Sequence, residues 1–137
     1  MPVIRKTVTD KKGNIFLQIE EDTQAGLLYA KWQGKVTLDD IKTGSLAFLD
    51  VLEACPCPRL LSDNTELETS WQTLNDWVEH TWTPQALALQ LRYFAIVVSP
   101  VFFVKVAAVE LSQRIADQLE IQLFPDVASA RRWLAEV

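Results

Sequence analysis

The stretch YFAIVVSPVFFVKVAAVELSQRIADQLEIQLF, residues 93–124, decides the fold. Its first six residues, Tyr93–Val98, are all apolar and rich in β-branched and aromatic types, which predicts a central strand covered on both faces. Ser99 and Pro100 follow as a helix cap and a first-turn proline, and a helix is predicted over Val101–Asp117. The next strand is predicted over Glu120–Phe124. This order of strand, helix and strand favours a parallel sheet.

The same alternation continues towards both ends of the chain. Upstream, Thr37 and Asp40 form a capping box for a helix over Leu38–Ala54, and two prolines after it end that helix. A short strand, Arg59–Ser62, then leads into the polar sequence DNTELET, which is expected to be a loop. Downstream, Asp126 caps a final helix over residues 127–135.

The N-terminal part of the chain predicts a hairpin. Residues Ile15–Glu20 alternate between apolar and polar types, and Leu27–Trp32 follow after a break rich in turn-forming residues. The element order is therefore β-β-α-β-α-β-α-β-α. It predicts a single α/β domain over residues 1–137, with a mixed, mostly parallel sheet, an antiparallel N-terminal edge strand and about four helices.

Composition limits the classes of function. The chain has 137 residues and a net charge of −5, with scattered basic residues, which argues against binding nucleic acid or anionic membranes. No apolar run approaches the roughly 18 residues that span a bilayer, and the N-terminus has no signal-peptide pattern, so a cytoplasmic protein without membrane insertion is expected. We expect Cys55 and Cys57 to be reduced thiols in a helix-to-strand turn, and we expect no metal and no cofactor.

The segment SWQTLNDWVEHTW, residues 70–82, contains three of the five tryptophans and the only histidine. On a regular helix, Trp71 and Trp82 fall on one face with Leu74 and Val78, which is typical of core. Trp77 and His80 lie on a second stripe, so Trp77 could be core, a pocket wall or an interface residue. His80 is expected to be solvated, without an acidic partner. Pro84 predicts a kink or a break near Thr83.

Polar side chains are expected at the edge of the sheet where ligands collect in open α/β folds. Asp63, Asn64 and Thr65 follow the third predicted strand, and Ser99 follows the fourth. They are candidate binding residues, although helix capping and turn formation would explain them equally. No catalytic motif or phosphate-binding loop is present, so we expect that the protein is not an enzyme.

The sequence VFFVKVAAV, residues 101–109, is apolar except for one lysine. An amphipathic helix would bury only one of its sides. Either the helix is enclosed on more than one side or its outer side contacts a partner. We favour contact with a second copy of the chain, with Val101, Phe102, Phe103 and Val104 as interface candidates.

Several motifs together resemble one family of small bacterial proteins. They are Asp63-Asn64 at the end of a strand, in the reverse order of the family's Asn-Asp pair, and Trp82-Thr83-Pro84, the strand start Arg92–Ala95 and the closing Ala130–Leu134. With the element order, they resemble the SpoIIAA-like group of STAS domains, also described as STAS/SEC14 domain-containing. The resemblance implies an α/β domain of the STAS type.

In STAS-domain anti-sigma factor antagonists, a serine in the loop after the third strand is phosphorylated. Here Thr69 and Ser70 occupy that loop, without the aspartate and glycine that flank the serine in the family motif. The resemblance therefore implies a regulatory or protein-interaction module, with the phosphorylation switch in doubt. The alternative is a binder of a small apolar or amphipathic ligand between the tryptophan helix and the sheet, lined by Trp71, Trp77 and Trp82.

Overall fold

The computed structural model describes residues 2–137 and contains one mixed sheet of six strands in the order β1-β2-β3-β4-β5-β6. The first three strands pair antiparallel, and β3, β4, β5 and β6 pair parallel. The fold is thus the α/β class that the sequence predicts. The strands are β1 Pro2–Thr9, β2 Ile15–Asp22, β3 Leu27–Gly34, β4 Arg59–Leu67, β5 Tyr93–Val97 and β6 Glu120–Phe124.

Helices cover both faces of the sheet. The regular helices are α1 (Leu38–Ala54), α4 (Phe102–Ile115) and α5 (Val127–Glu136). The tryptophan segment, residues 71–88, contains two shorter ones, α2 (Asn75–Trp77) and α3 (Thr83–Ala88). The larger core joins α1, the tryptophan segment and α4 to one face. On the other face, α5 buries Ala130 and Leu134 against residues of β3, β4 and β5.

The N-terminal edge of the sheet differs from the prediction, because it contains one more strand. The predicted hairpin is β2 and β3, but β1 precedes it and forms the antiparallel edge. Of the residues of β1, only Val8 is buried, so the strand lacks the apolar alternation that identifies a strand with one covered face.

Strand β4 is longer than predicted, because the polar residues taken for a loop continue the strand to Leu67. They continue to pair with β3 beyond a bulge, after which Gln33 lies opposite Glu66. Their side chains also have partners: Asp63 accepts a hydrogen bond from Tyr29 of β3, and Glu66 pairs with Lys31 at 2.7 Å. Partners on the neighbouring strand make a polar strand stable, and the sequence alone does not identify them.

Helix ends follow local chemistry. Thr37 and Asp40 form the predicted capping box of α1, and Asp126 caps α5 by accepting a hydrogen bond from the Ser129 amide at 2.7 Å. The predicted cap of α4 was wrong. That helix begins at Phe102 with Val101 as its N-cap residue, and the Ser99 hydroxyl accepts the Val101 amide from outside the helix.

The interruption expected near Thr83 takes the form of a π-helical turn between the short helices α2 and α3, and the chain stays helical across Pro84. The tryptophan segment begins as a 3₁₀ turn at Gln72–Leu74, becomes α-helical and widens into a π-helical turn at Val78–Trp82, just before the proline. The Thr83 amide bonds the Val78 carbonyl five residues back. A wider turn leaves room for a proline ring and does not require the hydrogen bond that proline cannot donate.

Candidate functional site at the carboxyl edge of the sheet

A groove of about 670 Å³ lies at the carboxyl ends of β3 and β4. We call it the strand-end groove. Its walls come from four parts of the chain that meet at this edge: the β1–β2 turn with the start of β2, the end of β3 with the link after it, the end of β4, and the link from β5 to α4. They are residues 10, 14–16, 33–36, 65–68 and 100–101. In open α/β sheets, ligands collect at the carboxyl ends of the strands.

Hydrogen bonds tie the walls of the groove to one another. The Thr69 hydroxyl accepts the Val36 amide at 2.9 Å and donates to the Val36 carbonyl at 2.7 Å. The Ser99 hydroxyl donates to the Leu67 carbonyl at 2.9 Å and accepts the Val101 amide at 3.1 Å. Two candidate residues from the sequence, Thr69 and Ser99, therefore fix the shape of the groove.

Two adjacent phenylalanines stand beside this groove. Phe102 and Phe103 are 69% and 70% exposed, and their rings contact edge to face with centroids 5.6 Å apart. They directly follow Pro100 and Val101, which line the groove. We call Phe102 and Phe103 the aromatic pair. Large apolar side chains this exposed are typical of sites that contact another molecule.

The fold gathers further apolar side chains at the same edge. Ile15 begins β2 opposite the end of β3, and Leu38 begins the helix that follows β3. Five of the nine large apolar side chains that are exposed among residues 2–137 lie at this edge. We call these five the apolar edge: Ile15, Leu38, Val101, Phe102 and Phe103.

Val104, predicted as an interface residue, is only 1% exposed and belongs to the larger core. Within α4, Val104 falls on the side that faces the sheet, with Ala107, Ala108 and Leu111. The interface prediction was therefore wrong for this residue. A glutamate at position 104 would therefore disrupt the fold, because it would place an unpaired charge in the core.

A second concave feature lies between the tryptophan segment, α1 and the sheet. This aromatic cavity has a volume of about 70 Å³, and Trp71 and Trp82 line it together with Trp32, but Trp77 does not. Pockets for small molecules usually have about 300–1,000 Å³. The cavity is therefore too small for the amphipathic ligand that the sequence suggested, unless its walls move apart.

The aromatic cavity has polar groups on its sheet side. Ser62 and Asn64 are both buried, and the Ser62 hydroxyl lies 3.4 Å from the side-chain oxygen Oδ1 of Asn64. The Trp82 indole is already satisfied, because it donates to the Ser45 carbonyl at 2.9 Å. Buried polar groups cost free energy when unpaired, so Asn64 could bond a small molecule or a water within the cavity.

Asp63 points to the other face of the sheet from Asn64. One of its carboxylate oxygens accepts a hydrogen bond from Tyr29, and the other accepts both the amide and the hydroxyl of Thr65, at 3.0 and 2.8 Å. Burial and the bond to Asp63 raise the pKa of the Tyr29 phenol above its ordinary value. Asp63, Asn64 and Thr65 are adjacent in sequence but do not form one site. Asp63 and Thr65 hydrogen-bond to each other, and Asp63 also bonds Tyr29, on the face opposite Asn64.

Trp77 and His80 lie on the outer side of the tryptophan segment. Trp77 is half-buried, and the Lys42 ammonium lies 5.1 Å from the centroid of its ring. His80 is exposed as expected, but the prediction that it lacks an acidic partner was wrong. Its Nε2 lies 3.5 Å from Asp76, four residues earlier on the same helical face, and 3.7 Å from Glu79.

Asp76, Glu79 and His80 could in principle hold a metal ion, since their ligand atoms all lie within 4.8 Å of one another. Arg114 of α4 already supplies a cation there, with a nitrogen 2.9 Å from Glu79 and 3.6 Å from Asp76. The cluster is therefore best described as a surface ion-pair network that joins the tryptophan segment to α4.

The two candidate phosphorylation sites differ. Both hydrogen-bonding directions of the Thr69 hydroxyl are engaged with Val36. Ser70 is half-buried, and its hydroxyl accepts only a long bond from the Gln72 amide at 3.3 Å. Of the two, Ser70 is the more available, and its phosphorylation stays a prediction.

The carboxyl edge of the sheet was predicted as the site, and Thr65 lines the groove there, whereas Asp63, Asn64 and Ser99 do not. The groove itself was not predicted, because its walls come from parts of the chain separated by dozens of residues, which no local pattern brings together. The apolar run that begins at Val101 was a second signal at the sequence level.

Comparisons with known proteins agree with the observed fold. A model of the SpoIIAA-like family matches residues 27–135. An uncharacterized protein of the DUF3478 family with a SpoIIAA-like fold, from Shewanella loihica PV-4, superposes with a TM-score of 0.52 at 22% identity, covering 86% of this chain and 91% of that chain. No curated protein matches this chain. Among residues 2–137, no helix is long and apolar enough to cross a membrane.

Proposed function

The chain belongs to the SpoIIAA-like family, and from this premise we propose that it is a non-enzymatic regulatory or protein-interaction module that binds its partner at the apolar edge. One observation carries the proposal: most of the large apolar side chains that remain exposed are gathered at one edge of the sheet, around a groove. Exposed apolar groups concentrated in this way are typical of protein contacts.

The rigidity of the site supports this proposal. Ser99 holds the start of α4 against the end of β4, and Thr69 holds the link after β4 against the link after β3. A surface fixed by such bonds loses little conformational entropy on binding, which favours association.

The magnitude of burial is also adequate. A phenylalanine buries roughly 150–250 Å², so the aromatic pair, about 70% exposed, offers roughly 200–350 Å². At about 25 cal/mol per Å², covering it contributes about 5–9 kcal/mol before the costs of association. The aromatic pair can thus supply the centre of an interface, with the remaining apolar edge around it.

The non-enzymatic part of the proposal rests on how the polar candidates are used. The side chains of three candidates, Asp63, Thr69 and Ser99, already form hydrogen bonds with neighbouring groups of the fold. A general base or nucleophile needs an atom that is free to reach a substrate.

Site-specific photo-crosslinking in the source organism tests the proposed function. Benzoylphenylalanine replaces Phe103, and a matched control carries it at Leu46, which is exposed on α1 away from the apolar edge. We expect a discrete protein adduct from position 103 and none from position 46. No adduct at position 103, or the same adducts from both positions, would overturn the proposal.

A second candidate function is the binding of a small amphipathic ligand in the aromatic cavity, whose walls would have to move apart to admit it. The buried Ser62–Asn64 pair favours it, since a mainly apolar site with a few polar groups is typical of ligand pockets. Native mass spectrometry of the protein and its Asn64→Leu variant tests this candidate. An adduct carried by the parent protein and lost from the variant would support it, and a parent protein without any adduct would refute it.

A further inference from the structure

We propose that the partner at the apolar edge is a second copy of this chain, and that each copy places its aromatic pair in the strand-end groove of the other. The inference rests on the proposed function and names the partner of that same site. It predicts a symmetrical dimer in which the same surface of both copies forms the interface.

The adjacency of the aromatic pair and the groove supports this arrangement. A two-fold interface uses one surface twice, so that surface must contain both a protruding part and the cavity that receives it. Val101 lines the groove, and the next two residues are the exposed rings of Phe102 and Phe103. A two-fold axis that passes between the aromatic pair and the groove would bring each aromatic pair over the groove of the other copy.

Charge at this edge is compatible with self-association. The whole chain has a net charge of −5, which would repel a second copy. The two halves of the proposed contact differ in charge, however. The groove is lined by Asp10, Glu66 and Glu68 with one lysine, Lys35, whereas Lys105 follows the aromatic pair.

In a symmetrical dimer, the exposed Lys105 of each copy would approach acidic residues of the groove, such as Glu68, in the other copy. This opposite charge favours the contact between two copies.

The surface area that the dimer interface would bury indicates how tightly the two copies should bind. Four phenylalanine rings in a symmetrical dimer would bury roughly 400–700 Å², whereas stable interfaces bury about 1,200–2,000 Å² in total. The apolar edge and its charged neighbours must supply the remainder. We therefore expect a dimer that dissociates on dilution in the micromolar range.

Sedimentation of the full chain across roughly 5–500 µM tests the dimer, a range chosen for interfaces of modest area. The parent protein should pass from monomer to dimer. The double variant Phe102→Ser/Phe103→Ser should associate at least about tenfold more weakly, because it loses the central apolar contacts. The variant Leu46→Ser, which changes an equally exposed apolar residue outside the edge, should behave like the parent.

Disulfide trapping tests the orientation. In a Cys55→Ser background, a Lys105→Cys chain is mixed with a Lys35→Cys chain and oxidised with copper phenanthroline. Lys105 follows the aromatic pair and Lys35 lines the groove. A crosslinked pair is expected, and a Gln24→Cys chain should not crosslink, because Gln24 lies in the β2–β3 turn at the opposite end of the sheet.

The outcomes separate this inference from the proposed function. A protein that stays monomeric throughout the range, a dimer that survives loss of both phenylalanines, or equal crosslinking at Gln24 would overturn the second-copy inference. An adduct of benzoylphenylalanine at position 103 with a different protein would also overturn it, while the proposed function would stand. Loss of every adduct at position 103 would overturn both.

Discussion

Gly44 lies in the middle of α1, where glycine is normally unfavourable. Helix propensity alone predicts that Gly44→Ala stabilises the protein by about 1 kcal/mol. The structure predicts the opposite sign. A Cβ atom at this position would lie 2.7 and 2.9 Å from two carbons of the Trp32 ring and 3.0 Å from a methyl group of Leu17.

The size of the effect follows from these contacts. Both neighbours are buried between α1 and the sheet, so neither can move without disturbing the core. Inserting a carbon into such a site typically costs about 1–3 kcal/mol. Three contacts at or below 3.0 Å favour the upper part of that range. After the gain in propensity is subtracted, Gly44→Ala should lower the free energy of unfolding by about 1–2 kcal/mol.

Urea denaturation followed by circular dichroism measures this change, and we expect the midpoint to fall by roughly 1 M. Thr43→Ala is the matched control, because Thr43 is exposed on the same helix and should gain about 0.5 kcal/mol from propensity alone. Trp32→Phe should partly rescue Gly44→Ala in a double-mutant cycle, because the smaller ring removes the crowded atoms. A stabilised Gly44→Ala protein would refute the close contact between α1 and Trp32.

Three further predictions concern other parts of the fold. Trp71→Ala should destabilise the protein by about 3–5 kcal/mol, because Trp71 is buried in the larger core; an unchanged denaturation midpoint would contradict this. Gln90 has a φ of 81°, which favours glycine. Gln90→Gly should therefore raise the free energy of unfolding, measured by urea denaturation, by roughly 0.5–1 kcal/mol; a less stable variant would contradict this. Burial raises the pKa of the Cys57 thiol, so iodoacetamide at mildly alkaline pH should modify the more accessible Cys55 first. Mass spectrometry of the peptides would test this, and equal rates would count against the burial of Cys57.

The sequence predicts those elements of the fold whose signals are local. The capping box at Thr37 and the strand Glu120–Phe124 were confirmed with their bounds, since caps and runs of apolar residues depend on neighbouring residues only. Strand β1 was missed because both of its faces are largely exposed. The second half of β4 was missed because Asp63 and Glu66 depend on partners in β3.

The candidate site was predictable only in part. The apolar run from Val101 correctly indicated an exposed surface at Phe102 and Phe103, but a regular amphipathic pattern could not show that Val104 faces inward. Thr69 and Ser99 were chosen as binding residues from their positions, whereas the structure uses their hydroxyl groups to join separate segments. Such joins depend on the topology, which brings residues about 30 positions apart into contact.

The most direct measurement of the account is native mass spectrometry of the protein purified from the source organism under mild conditions. We expect a complex with twice the mass of the chain, because the apolar edge binds a second copy. We expect no small-molecule adduct, because the aromatic cavity of about 70 Å³ is too small for larger ligands. A monomer that reproducibly carries an adduct of about a few hundred daltons, the size of a pocket ligand, would contradict it. That result would move the working site from the apolar edge to the aromatic cavity.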